Sequence, residues 1–240
     1  MDPEYALQYR EIYEKHWWWR AREKLILSTI EKIKPKGSRG PILDIGCGDG
    51  LLFDRLSAFG EVEGVEMDSS LVSPKSPWKD RIYVGSFDGS FQPRKRYSLI
   101  LMLDVLEHFS DPLPPLRRAL ALLEQQGILL ITVPAFRCLW TSHDELNRHF
   151  TRYTKQTFTQ LAKEAGMKIH YCRYFFYWTF PVKLLIRIKE AFFHTSAETP
   201  RIPPYWINTA LYKFSALEQK FFHILPVPFG SSLMGLGSKQ

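Results

Sequence analysis

The stretch Leu43-Asp44-Ile45-Gly46-Cys47-Gly48-Asp49-Gly50 restricts this chain's fold more than any other. The apolar run from Pro41 to Ile45 reads as a buried strand, three glycines follow at alternate positions, and residues 50–59 read as a helix. Gly46, Gly48 and Gly50 let the backbone turn tightly and approach a ligand where a Cβ would intrude. Glu66 closes the next apolar run, twenty positions after Gly46. An acid there can accept hydrogen bonds from both ribose hydroxyls of a nucleoside.

Charge narrows the ligand further. Dinucleotide sites use G-x-G-x-x-G and aim a helix N-terminus at a pyrophosphate. Here the spacing is G-x-G-x-G, with Asp44 and Asp49 beside it. Those carboxylates repel a pyrophosphate and suit a nucleoside that carries positive charge.

Short apolar runs then alternate with helical stretches, which implies a largely parallel sheet covered by helices on both faces. Strands are expected over residues 61–66, 81–84, 97–103, 127–133 and 167–178, and a weak one over 232–238. Tyr97 to Leu103 is apolar throughout, as suits a strand buried on both faces. Helices are expected over residues 5–34, 112–123, 154–165, 182–194 and 205–224. Pro35-Lys36-Gly37 marks the end of the first, Thr154 is an N-cap, and Gly166 a C-terminal stop.

Further along the chain, Leu103-Asp104-Val105-Leu106-Glu107-His108 and Gly127 to Pro134 complete a set of motifs. Taken with Asp44–Gly50 and Glu66, they resemble the class I S-adenosylmethionine-dependent methyltransferases. The chain is most similar to a bacterial subgroup of them through its tryptophan-rich helix at His16–Arg22, its Val133-Pro134-Ala135 and Leu139-Trp140 pairings, His143-Asp144-Glu145 and His149-x-x-Arg152-Tyr153. Thr151 stands where subgroup members carry a second arginine. The resemblance implies an α/β, Rossmann-like seven-stranded sheet of order 3-2-1-4-5-7-6 with the last strand antiparallel. It divides the chain into an N-terminal helical lid (1–40), a core (41–180 and 230–240) and a helical insertion or cap (181–229).

S-adenosylmethionine is accordingly the expected cofactor. The resemblance gives Gly46, Cys47, Gly48 and Gly50 to its loop, Asp44 to the methionine ammonium, and Glu66 to the ribose. Met67 would lie on the adenine face, Asp88 at the exocyclic amine, and Leu103 with Asp104 under the methionine part. Arg22 would reach the methionine carboxylate with Trp18 or Trp19 as a lid; a surface helix with an aromatic core face is the competing reading. Cys47 reads as filler and not as a nucleophile.

Methyl transfer needs a base when the accepting oxygen or nitrogen must lose a proton. His108, His143 and His149 are the candidates, and Arg152 and Tyr153 are candidate acceptor contacts. Glu107 and His108 offer two metal ligands without an evident third, so no metal is expected. The expected reaction is methylation, on oxygen first, of a small-molecule or lipid- or glycan-linked acceptor. The alternative is a non-catalytic, S-adenosylmethionine-binding or membrane-associated scaffold.

A net charge of +7 favours acidic partners without choosing among them. Lysine and arginine are scattered and no amino-methylation motif ends the fourth strand, so no nucleic-acid partner is expected. Residues 182–193 are amphipathic, with Leu184, Leu185, Ile188 and Phe192 on one stripe and Lys183, Arg187 and Glu190 off it. That helix suits either a cap over the active site or peripheral contact with an anionic membrane. Cys47, Cys138 and Cys172 lie far apart without metal spacing, and the start shows no signal-like apolar run. A cytoplasmic location, with or without peripheral membrane contact, follows as the expectation.

Overall fold

The computed structural model describes residues 3–34, 40–193, 200–221, 224 and 226–240. The expected helix stop at residues 35–37 and part of the linker at 195–204 fall outside them. In chain order the elements are α1 (Pro3–Lys15), α2 (Trp17–Ile33), β1 (Ile42–Ile45), α3 (Phe53–Leu56), β2 (Val62–Glu66), β3 (Ile82–Val84), β4 (Tyr97–Leu103), α4 (Leu113–Leu122), β5 (Leu123–Pro134), α5 (Ser142–Leu146), α6 (Lys155–Ala165), β6 (Met167–Phe175), α7 (Thr179–Phe193), α8 (Tyr205–Phe221) and β7 (Ser232–Lys239). The strands form one seven-stranded sheet in the order β3-β2-β1-β4-β5-β7-β6. β1 pairs parallel with β2, and β2 with β3, whereas β7 runs antiparallel to both β5 and β6.

The single helix expected over residues 5–34 is two helices. His16 breaks it: its backbone is extended, and its Nδ1 accepts the Trp18 N–H to cap α2. Once the chain bends there, Lys15 O and Trp17 N need outside partners. Asn208 of α8 supplies both, donating to the Lys15 carbonyl at 2.7 Å and accepting from the Trp17 N–H at 2.8 Å. The bend also turns the tryptophans: Trp17, Trp18 and Trp19 are all partly buried, and Trp18 packs edge-on to Trp19.

β7 holds two glycines because its neighbours leave no room. A Cβ at Gly235 would meet the Phe158 ring of α6 at 2.3 Å, and one at Gly237 would meet the Lys168 carbonyl at 2.5 Å. The same glycines weaken the strand signal in the sequence.

The chain divides into two compact units, residues 1–101 with 200–219 and residues 102–199 with 220–240. Residues 200–219 fall in the first unit and the rest of 181–229 in the second. In the first unit α8 meets the N-terminal helices, where Gln219 donates to the Ala21 carbonyl and Arg20 lies over the Tyr212 ring. In the second, α7 packs by Phe180 on Phe136 and by Glu190 on Ser142. Of the apolar stripe, Leu185, Ile188 and Phe192 are exposed and Leu184 is half-buried. Among the described residues no helix is long and apolar enough to cross a membrane.

Candidate functional site

The first unit carries the glycine turn at the C-terminal end of β1. Gly46, Gly48 and Gly50 have φ of 74°, 55° and 71°, the left-handed region that disfavours other residues. A Cβ on Gly48 would meet nothing within 4 Å, so open space lies against the turn. The Glu66 carboxylate, at the end of β2, accepts the Gly48 N–H on Oε2 and the Asp68 N–H on Oε1, both at 2.9 Å. Two backbone donors thus fix its orientation and leave each oxygen capacity for a further bond.

Asp44 is 4% exposed, and its carboxylate has no hydrogen-bond partner among the described residues. Burial pushes its carboxyl up to about 7; the nearby Arg22 lowers it and Glu66 raises it again. A buried acid without a donor is costly, and a cationic ligand group relieves that cost. The glycine turn, the oriented Glu66 and the unpaired Asp44 fit a positively charged nucleoside. Asp49 contributes less to that field than its position in sequence suggests, because it accepts the Ser73 N–H and pairs with Arg10.

The remaining predicted cofactor residues divide. Arg22 is buried, with its guanidinium 5.7 Å from the centre of the Trp18 ring and its charge acting on Asp44. Met67 is 73% exposed beside Glu66, free to cover a planar ligand. Cys47 is a filler: its thiol points at the Gly48 carbonyl, a Cβ on Gly64 would meet its sulfur at 2.4 Å, and burial raises its pKa. Asp88 is exposed and accepts the Ser90 N–H in a local turn, while Phe87 is buried against Phe91.

In the second unit, backbone strain marks the ends of the strands. Asp104, Phe136 and Phe176 follow β4, β5 and β6 with φ of 59°, 56° and 57°. Such non-glycine conformations persist where surrounding structure holds them, commonly at functional edges. Leu103 ends β4, and the Asp104 carboxylate accepts the Thr132 hydroxyl at 3.0 Å. The turn Leu106–His108 follows. Phe150 donates to the Glu107 carbonyl at 2.7 Å and so fastens the loop after α5 onto this turn.

That contact brings His149 against His108, their ring centres 4.8 Å apart. His149 Nδ1 lies 2.8 Å from Asp144 Oδ1. Asp144 is fully buried and is gripped by the Arg152 Nε and Nη2 at 2.8 and 2.9 Å and by the Thr141 N–H. These donors hold its carboxyl below the ordinary range despite burial. With Nδ1 committed to a carboxylate, the His149 imidazole presents Nε2 as a basic atom. Glu107, His108 and His149 also offer ligand atoms within 4.8 Å of one another, so His149 stands where a third ligand would be needed.

Arg152 and Tyr153, expected to touch the acceptor, spend their polar atoms inside the protein. Arg152 clamps Asp144 and donates to the Ala135 carbonyl, and the Tyr153 hydroxyl donates to the Leu106 carbonyl. His143 stands exposed on α5. The sequence reading missed Asp144, which could have been found from its spacing, five positions before His149.

A profile of the family described as methyltransferase domain matches residues 18–171, well over half of the chain. The chain belongs to the class I S-adenosylmethionine-dependent methyltransferases. Solved structures agree on the methyltransferase's fold. An S-adenosylmethionine-dependent methyltransferase of Thermotoga maritima, described as a possible histamine N-methyltransferase, aligns over 99% of this chain and 97% of its own with a TM-score of 0.57 and 16% identity. Another such enzyme, from Corynebacterium glutamicum, aligns over 99% and 97% with a TM-score of 0.56 and 17% identity. Among curated proteins, the ubiquinone biosynthesis O-methyltransferase of Bradyrhizobium diazoefficiens is 31% identical over 97 residues, 38% of each chain. That of Coxiella burnetii is 26% identical over 130 residues, covering 51% of this methyltransferase and 50% of its own length. The chain thus spans 38% of the length of the first curated relatives it matches.

Proposed function

We propose that this methyltransferase moves the methyl group of S-adenosylmethionine to an oxygen of a small-molecule acceptor, with His149 as the general base. The observation that carries this reading is the Asp144–His149 pair, fixed by Arg152 and Thr141 after β5. S-adenosylmethionine, when bound, supplies an electrophilic methyl on a sulfonium. Glu66 would hold its ribose, Asp44 its ammonium, and Arg22 its carboxylate, with Trp18 and Met67 covering the nucleoside. His149 Nε2 removes the proton of the acceptor hydroxyl, and Asp144 steadies the imidazolium that results. The ligands of α/β sheets gather at the C-terminal ends of the strands. β1, which leads into Gly46, and β4, which leads into Asp104, are neighbours in this sheet. The partial similarity to O-methyltransferases supports oxygen as the accepting atom.

The test is methyl incorporation from labelled S-adenosylmethionine into a panel of phenolic, lipid-linked and glycan acceptors. His149→Gln should lower kcat by roughly 10²–10⁴ without weakening S-adenosylhomocysteine binding. Equal turnover by His149→Gln and the wild type would remove the base. Extensive dialysis against a chelator should leave kcat unchanged; activity lost and then restored by a divalent cation would assign Glu107, His108 and His149 to a metal instead.

Exposed Leu185, Ile188 and Phe192, flanked by exposed Arg187 and Lys189, support a second role for α7 as a peripheral contact with an anionic lipid surface.

A further inference from the structure

α7 turns an unexpected side toward the protein. Thr179 is buried and shares a 2.6 Å hydrogen bond with Ser231, Phe180 packs on Phe136, and Glu190 receives both the N–H and the hydroxyl of Ser142. Lys183 lies four residues after Thr179, three after Phe180 and seven before Glu190. These spacings put it on the same inward face, while residues 185–189 are exposed. On that face Lys183 feels the charges of Arg152, Asp144 and Asp104, and its own charge acts on His143.

Lys183 is half-buried and has no hydrogen bond or ion pair among the described residues. Asp144 and Asp104 favour its charged form, but neither closes an ion pair with it. Asp144 is committed to Arg152 and His149, and Asp104 is held by Thr132. A half-buried ammonium without a partner is unfavourable. Burial first, and then the Arg152 charge, push it down to about 8. A ligand with an anionic oxygen would remove that penalty.

We propose that Lys183 is the specificity-determining residue of the acceptor pocket and recognises an anionic oxygen group, a carboxylate or a phosphate, on the molecule that is methylated. This rests on the acceptor site lying around His149 and Asp104. It assigns to α7 a binding function separate from its outward apolar stripe. Acceptors that carry an acidic group are selected, and neutral analogues of the same shape are not.

Calorimetric titration of the full chain, saturated with S-adenosylhomocysteine, tests this with two probes, inorganic phosphate and benzoate. The wild type should bind at least one saturably, and the stronger of the two identifies phosphate or carboxylate. Lys183→Met should weaken that binding by about 10- to 100-fold, the scale of a charge-assisted bond, and Lys183→Arg should retain most of it. S-adenosylhomocysteine binding should be the same in all three, so a failure there indicts the cofactor reading and not this one. Independently of any variant, the wild-type Lys183 amine should titrate at higher pH once the probe is bound. Absence of saturable binding to the wild type, equal binding by Lys183→Met, or an unshifted Lys183 titration would each overturn the proposal.

Discussion

Asp44 ties stability to cofactor binding through one side chain. An ordinary aspartate in an unfolded chain titrates near 3.9, and burial holds Asp44 at about 7 in the folded protein. Between those values the folded state keeps a proton that the unfolded state has released, so stability falls as pH rises, and above about 7 the loss is complete. Its size is on the order of 4 kcal/mol. In the ligand-free protein, Asp44→Asn should therefore raise stability at pH 8 and leave it nearly unchanged at pH 4, as read by urea unfolding at both pH values. The same substitution should weaken S-adenosylmethionine binding. A gain that persists at pH 4 would contradict the account. The residue scale also explains what the sequence showed well and what it did not. The left-handed turn at Gly46, Gly48 and Gly50 and the place of Glu66 at the end of β2 were legible because a local chain pattern dictates them. The partners of Arg152 and Tyr153 were not legible, because sequence reports that a polar residue is present and says nothing of what it meets; theirs are Asp144, Ala135 and Leu106.

At the scale of elements, periodicity located nearly every strand, and β4 spans Tyr97–Leu103 as expected. Which face an element buries was less legible. The apolar stripe of α7 suited a cap or a membrane contact equally, and the contacts of Thr179, Phe180 and Glu190 show which side is packed. If the outward stripe meets lipid, Leu185→Ser with Phe192→Ser should reduce sedimentation with anionic vesicles while leaving S-adenosylhomocysteine binding intact; unchanged sedimentation would dismiss α7 as the contact. The break at His16 was hidden because its second stabiliser, Asn208, lies on α8, far away in sequence. β7 is the complementary case, a poor strand by propensity that packing requires. Gly235→Ala should destabilise the protein by roughly 1–3 kcal/mol, since its Cβ would drive Phe158 off its position. Chemical denaturation measures this, and a neutral outcome would show that the Phe158 ring yields freely.

For the molecule as a whole, the sheet order is β3-β2-β1-β4-β5-β7-β6. Order follows from connectivity that a strand–helix alternation and a family resemblance already imply. The division into two units does not, because it depends on α8 finding the N-terminal helices while α7 stays with β5 and β6. The central claim is that the segment from Asp44 to Glu66 is a cradle for S-adenosylmethionine, and calorimetric titration with S-adenosylhomocysteine tests it most directly. The wild type should bind with a one-to-one isotherm, and Glu66→Ala should lose roughly 1–3 kcal/mol of that affinity. Identical isotherms for the two proteins, or no heat from the wild type, would contradict the account.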